Sequence, residues 1–170
     1  CGTLELCRAK TKAMSKLTHI DAEGNARMVE VGHKVPTARE AIAEGWIQLT
    51  PAAFSCLEAG EVPKGDVLQI AQIAGIQAAK KTSDLIPLCH PLPISGIKVL
   101  VQAQSPNRVH VWARVRCDGK TGVEMEALTA VSGALLCVYD MLKAIDKGLV
   151  IGPIQLVEKS GGKSGTYDAP

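Results

Sequence analysis

Residues 97–116, IKVLVQAQSPNRVHVWARVR, decide the fold. In the first half Ile97, Val99, Val101 and Ala103 alternate with Lys98, Leu100, Gln102 and Gln104. In the second half Val109, Val111, Ala113 and Val115 alternate with Arg108, His110, Trp112, Arg114 and Arg116. A period of two sends each set to its own face of a strand, and Ser105-Pro106-Asn107 between the halves suits a hairpin turn. The stretch therefore predicts two antiparallel strands with one apolar face and one basic face. Trp112 in the middle of the basic face argues for partial burial there, on a surface that meets solvent or another subunit.

Upstream, Ala41–Leu49 reads as a strand. Thr50 and Pro51 suit the N-cap and first position of a helix over 51–59, with Gly60 as its stop. Pro63-Lys64-Gly65 reads as a turn. Asp66 then caps a helix from Val67 to about Lys81, apolar nearly all round and so expected to be deeply buried. Prolines 87, 91 and 93 make the stretch around Cys89-His90 a stiff extended loop. Downstream, a helix is expected from about Val123 to Lys147, closed by Gly148. A last strand over 149–158 leads into SGGKSG. Strand, helices, hairpin, helix, strand is an α+β order. It implies a mainly antiparallel, ferredoxin-like sheet with helices packed on one face.

Composition narrows the class. A chain of 170 residues with 46% hydrophobic and 21% charged residues can fill one core and is not a disordered chain. Only 3% is aromatic, so aliphatic side chains must build that core. A formal net charge of +2 does not argue for nucleic-acid or membrane partners, and no apolar run reaches the ~18 residues of a membrane span. The cysteines at 1, 7, 56, 89, 117 and 137 form no CxxC pair, so they read as reduced thiols of a cytoplasmic protein rather than zinc ligands or a disulfide framework. Met14 opens MSKLTHID like a natural start. Residues 1–13 then read as an extension or expression scar, and 14–170 as a single domain with a flexible glycine-rich tail.

The candidate chemistry concentrates on the long helix. At 100° per residue Glu126, Thr129, Gly133, Leu136, Asp140, Lys143 and Lys147 share one stripe. The stripe is either a solvent face with an Asp140/Lys143 ion pair, or a catalytic carboxylate beside a phosphate-binding or proton-moving lysine. Lys64, Lys80, Lys81, Lys143, Lys159 and Lys163 are candidate phosphate ligands; ordinary surface lysine is the competing reading for Lys81 and Lys163. Lys64 stands out because it sits at a helix entrance, which suits an anion. His90 is either a loop histidine bonded to backbone or a group presented to a ligand. SGGKSG is not a P-loop, since Val157 stands where glycine is required and no helix follows.

Several strings resemble the molybdenum cofactor biosynthesis protein C family, the cyclic pyranopterin monophosphate synthases. They are LTHID, MVEVGHK, KGDVLQIAQIAGIQAAKKTSDLIPLCHPL and GKTGVEMEALTAVSGALLCVYDMLKAIDKGLVIGPIQLVEKSGGKSG, covering roughly Leu17 to Gly165. The resemblance implies a homohexamer, a trimer of dimers with sites at subunit interfaces. It implies conversion of 3′,8-cyclo-7,8-dihydroguanosine triphosphate to cyclic pyranopterin monophosphate and pyrophosphate, a lyase reaction; no cofactor is expected, and the sequence places too few His, Cys and carboxylate residues at ligand spacing for a metal site. It implies Asp140, Lys64 and Lys143 as catalytic residues. Leu88, Cys89, His90, Met125, Glu126, Lys80 and Lys159 would bind substrate. Glu30 departs from the family's usual aspartate. Two rivals stay open: a nucleotide-binding assembly module without turnover, and a structural subunit whose polar stripe is only an ion-paired surface.

Overall fold

The computed structural model describes residues 19–21, 23–163 and 165–170; the reading of residues 1–13 as an extension lies outside them. The order is β1 (Thr37–Gln48), α1 (Pro51–Ala59), α2 (Val67–Lys80), α3 (Thr82–Leu85), β2 (Ile94–Gln104), β3 (Arg108–Gly119), α4 (Glu124–Leu142), β4 (Val150–Ser160) and β5 (Tyr167–Asp168). The strands form one antiparallel sheet in the order β2-β3-β1-β4-β5, and α2 and α4 cover one face of it. This is the expected α+β, ferredoxin-like architecture.

The hairpin pairs as its alternation requires: Val99 faces Ala113 and Val101 faces Val111 across the β2/β3 register. Val99, Val109, Val111, Ala113 and Val115 are buried with Ala41, Ala43 and Ile47 of β1. Against them α4 presents Ala127, Ala130, Val131, Ala134, Leu135, Val138 and Leu142. Truncating Leu135 to alanine in this close-packed layer would cost about 2–5 kcal/mol. Alanine and glycine let the two helices approach closely: a Cβ on Gly75 of α2 would stand 2.9 Å from the Ala130 carbonyl oxygen of α4.

Capping chemistry sets the helix ends. The Thr50 side chain accepts from the Ala53 amide, and Gly60 ends α1 in the left-handed conformation. The Asp66 side chain accepts from the Gln69 amide at 3.0 Å and starts α2. Two expectations are corrected. First, α2 is not buried all round: Val67, Ala71, Gly75 and Ala79 pack inward, while Ile70 and Ile73 are 40% and 66% exposed, because a single sheet covers only one side of a helix. Second, α4 stops at Leu142 rather than near Lys147, because the chain turns there and the Asp146 carboxylate accepts the Gly148 amide at 2.7 Å. Beyond the glycine-rich stretch, Tyr167 and Asp168 of β5 pair with Lys159 and Glu158 of β4. By length and hydropathy α4 alone among the described helices matches a membrane span, but its contacts with β1, β3, β4 and α2 make it the core helix.

The outer sheet face is charge-balanced rather than basic. Glu40 pairs with Arg116 and lies 3.9 Å from Arg114. Glu44 accepts from Gln155 and meets His110 at 3.1 Å, and Trp46 stacks on the His110 ring with centroids 4.9 Å apart. Arg114 lies over Trp112, which is half-buried as expected.

Candidate active site

The candidate residues separate into two groups at opposite ends of α4. At the C-terminal end Asp140 joins two lysines. Its carboxylate receives Lys64 Nζ at 2.8 Å on one oxygen and Lys143 Nζ at 2.6 Å on the other. Lys64 also donates to the Asp140 carbonyl at 2.8 Å, so it serves the C-terminal end of α4. The start of α2 itself is capped by Asp66. Hydrogen bonds from Lys143 and then Lys64 hold the Asp140 carboxyl down at about 2, and the same carboxylate pushes the Lys143 ammonium upward. All three side chains are about half exposed, from 44% to 56%. The cluster is thus a fixed carboxylate with two cations open to whatever docks on it.

At the N-terminal end the proline-stiffened loop and the first turn of α4 line a cavity of about 370 Å³ with Leu88, Cys89, His90, Met125 and Glu126. These are five of the expected substrate-binding residues, brought together from two stretches. Glu126 does not lie on a solvent stripe with Asp140: it is 4% exposed, and burial, with Glu124 nearby, raises its pKa. Burial, with Glu126 nearby, also pushes the Cys89 thiol up. His90 is bonded to backbone, as the plainer reading has it. Its Nε2 meets the Val29 carbonyl at 2.8 Å, and its ring still lines the cavity.

Beside this cavity lies a larger one of about 590 Å³, and Lys34, Thr121, Gly122 and Glu124 line both. Lys34, Arg39, Lys120, Lys159 and Lys163 give the larger cavity a cationic wall. Lys159 is the expected member, held to Glu124 at 3.0 Å. Lys163, read as possible surface lysine, belongs to the wall. Arg39 and Lys120 were not singled out from sequence, because their partners are backbone carbonyls distant in the chain. Arg39 Nε donates to the Gly119 carbonyl at 3.3 Å, and Lys120 Nζ donates to the Gly32 carbonyl at 2.6 Å. The Arg39 guanidinium lies against Gly162, where no Cβ obstructs it. Lys80 is exposed at the end of α2 and lines neither cavity; Lys81 forms a surface pair with Asp84. Glu30 folds back to accept the Gly32 amide at 2.6 Å, a local role for the longer arm. Among the described residues no group of three or more His, Cys, Asp or Glu side chains is arranged to hold a metal.

Helix α4 is continuous from Glu124 to Leu142, so Glu126 and Asp140 lie about 21 Å apart along it at ~1.5 Å per residue. A chain bending back before the helix is excluded, since Glu126 is inside its first turn. The cavities and the Asp140 cluster are separate surfaces of one chain.

Comparison with known proteins adds an independent observation. A family model described as the MoaC family matches residues 28–162. A cyclic pyranopterin monophosphate synthase from Pelotomaculum thermopropionicum is 55% identical over 156 residues, which is 91% of this chain and 92% of that protein.

Proposed function

The chain belongs to the MoaC family, and from that membership we propose that it is a cyclic pyranopterin monophosphate synthase of molybdenum-cofactor biosynthesis. The substrate is 3′,8-cyclo-7,8-dihydroguanosine 5′-triphosphate, and the products are cyclic pyranopterin monophosphate and pyrophosphate. One observation carries the reading: a cavity with a buried carboxyl opens beside a cavity walled by lysine and arginine. That pair fits a molecule with a hydrogen-bonding heterocycle at one end and a polyphosphate at the other. Leu88, Cys89, His90, Met125 and Glu126 take the heterocycle. Arg39, Lys34, Lys120, Lys159 and Lys163 take the phosphates and steady the pyrophosphate as it leaves.

In the reaction a ribose hydroxyl attacks the α-phosphorus, the bond to the leaving pyrophosphate breaks and a cyclic phosphate closes, a phosphorus–oxygen lyase step. Protons must also move as the purine-derived ring opens and a new ring forms. Asp140, Lys64 and Lys143 supply that chemistry from a neighbouring chain, since ~21 Å separates them from the cavities within one chain. Their half-exposure suits a surface completed by docking. Exposed Ile73 and Leu136 on the outer side of the helices, together with Trp46 and Trp112 on the open sheet face, favour association of copies. The working form is a homohexamer, a trimer of dimers, in the cytoplasm. Residues 14–170 act as one synthase domain, and no cofactor or nucleic acid takes part.

Incubating the protein with the cyclised GTP substrate and measuring pyrophosphate tests this directly. Stoichiometric pyrophosphate with formation of the pterin is expected. Tight binding without turnover would instead make the protein a nucleotide-binding assembly module.

A further inference from the structure

Residues Met28–Val35 have no regular secondary structure and form a wall shared by the two cavities. Val29 and Val31 face the smaller cavity, His33 and Val35 the larger, and Lys34 both. Two bonds inside the strap shape it: Lys34 N to Val31 O at 3.0 Å and Gly32 N to Glu30 Oε1 at 2.6 Å. Among the described residues, two side chains of the body fasten it. His90 meets Val29 O at 2.8 Å, and Lys120 Nζ donates to Gly32 O at 2.6 Å. The strap is otherwise largely exposed, with Gly32–Val35 open to solvent.

Lys120 is mounted differently from the strap it holds. It follows directly on β3 and lies four residues before the start of α4, so its backbone is fixed by two core elements. An ammonium has three N–H donors. One is given to Gly32, and among the described residues no partner takes the other two, which are left for the larger cavity that Lys120 also lines. An anion there and the strap carbonyl therefore draw on the same ammonium. An anion on the free donors fixes the Lys120 side chain, and fixing the side chain fixes the bond to Gly32.

We propose that Lys120 couples phosphate occupancy of the larger cavity to docking of the Met28–Val35 strap. Filling the cationic cavity then closes Val29 and Val31 over the neighbouring heterocycle site. The proposal rests on the reading that phosphates occupy the larger cavity, and it adds a consequence that this reading does not require. Its chemical requirement is a polyphosphate or pyrophosphate end, with no demand on the heterocycle.

Inorganic pyrophosphate is the probe, and the readouts are calorimetric binding and hydrogen exchange of the 28–35 amides in the intact oligomer. In the wild-type protein saturating pyrophosphate slows exchange of these amides by about tenfold. Lys120→Met binds pyrophosphate more weakly, through Lys34, Arg39, Lys159 and Lys163, and once saturated at higher pyrophosphate its strap exchanges as in the free protein. Lys120→Arg, whose fork serves a carbonyl and an anion together, restores the protection. Binding in the wild type without slowed exchange overturns the coupling and leaves the synthase reading intact. Equal protection in Lys120→Met at saturation also overturns it. Failure of the wild type to bind pyrophosphate at all overturns both.

Discussion

Gly162→Ala tests the cationic cavity without touching a charge. Gly162 has φ +77°, a region that costs an L-residue about 1–2 kcal/mol locally. A Cβ there would stand 2.5 Å from Cζ and 2.9 Å from Nη2 of Arg39. Ordinary contact needs about 3.5–4.0 Å, so the guanidinium must retreat by about 1 Å or more. Arg39 is the end of a flexible side chain and the loop is at the surface, so the fold absorbs the change while the guanidinium loses its station. A hydrogen bond to a charged group is worth about 1.5–3 kcal/mol, which corresponds to about 10- to 150-fold in affinity. Calorimetric titration with pyrophosphate should show a loss in that range, with circular dichroism and oligomeric state unchanged. Arg39→Met should lose a similar amount, and the double variant little more, because both changes remove one interaction. The reasoning is refuted if Gly162→Ala binds pyrophosphate like the wild type, or if the two losses simply add.

Lys64→Ala and Lys143→Ala should each reduce turnover by at least about 100-fold while melting within a few degrees of the wild type, since truncating half-exposed side chains opens no core cavity. Near-normal pyrophosphate release from either variant removes that lysine from the chemistry. Glu126→Gln should raise the melting temperature at pH 7 and leave it unchanged near pH 4. The raised folded-state pKa means that Glu126 loses stability as pH climbs past the unfolded value of 4.5, and glutamine escapes that loss. A variant that is less stable than wild type at pH 7 would show that the buried carboxylate is welcome as an anion. For Asp140 the sign is opposite. Its contribution is present above 3.8 and fades as pH falls toward about 2, so a carboxyl carbon titration midpoint near 3.8 would mean that the lysine pairs do not persist in solution.

Period-two alternation in 97–116 and capping at Thr50, Asp66 and Gly60 were legible because their signals are local. Burial of Ile70 and Ile73 was misjudged because a helix that is apolar all round does not say how many neighbours it will have; one sheet left both open. Glu126 was placed on a polar stripe by angle alone, yet it is buried at the first turn of α4, where it lines one cavity with Leu88, Cys89 and His90 of the proline-stiffened loop. Asp140 and Lys143 were readable as an i,i+3 pair, whereas Lys64 reaches Asp140 across 76 positions. Arg39 and Lys120 were invisible for the same reason: their place in the site depends on backbone carbonyls at Gly119 and Gly32, and a carbonyl leaves no mark in a sequence.

The central claim is that one active site takes its cavity from one chain and its Asp140 cluster from another. Co-assembling Asp140→Ala chains with Glu126→Ala chains tests it most directly, each variant being inactive alone. At equal mixing about one shared site in four receives both intact residues, so mixed oligomers should release pyrophosphate from the cyclised GTP substrate at about that fraction of the wild-type rate. Verified mixed oligomers that stay as inactive as their parents would contradict the shared site.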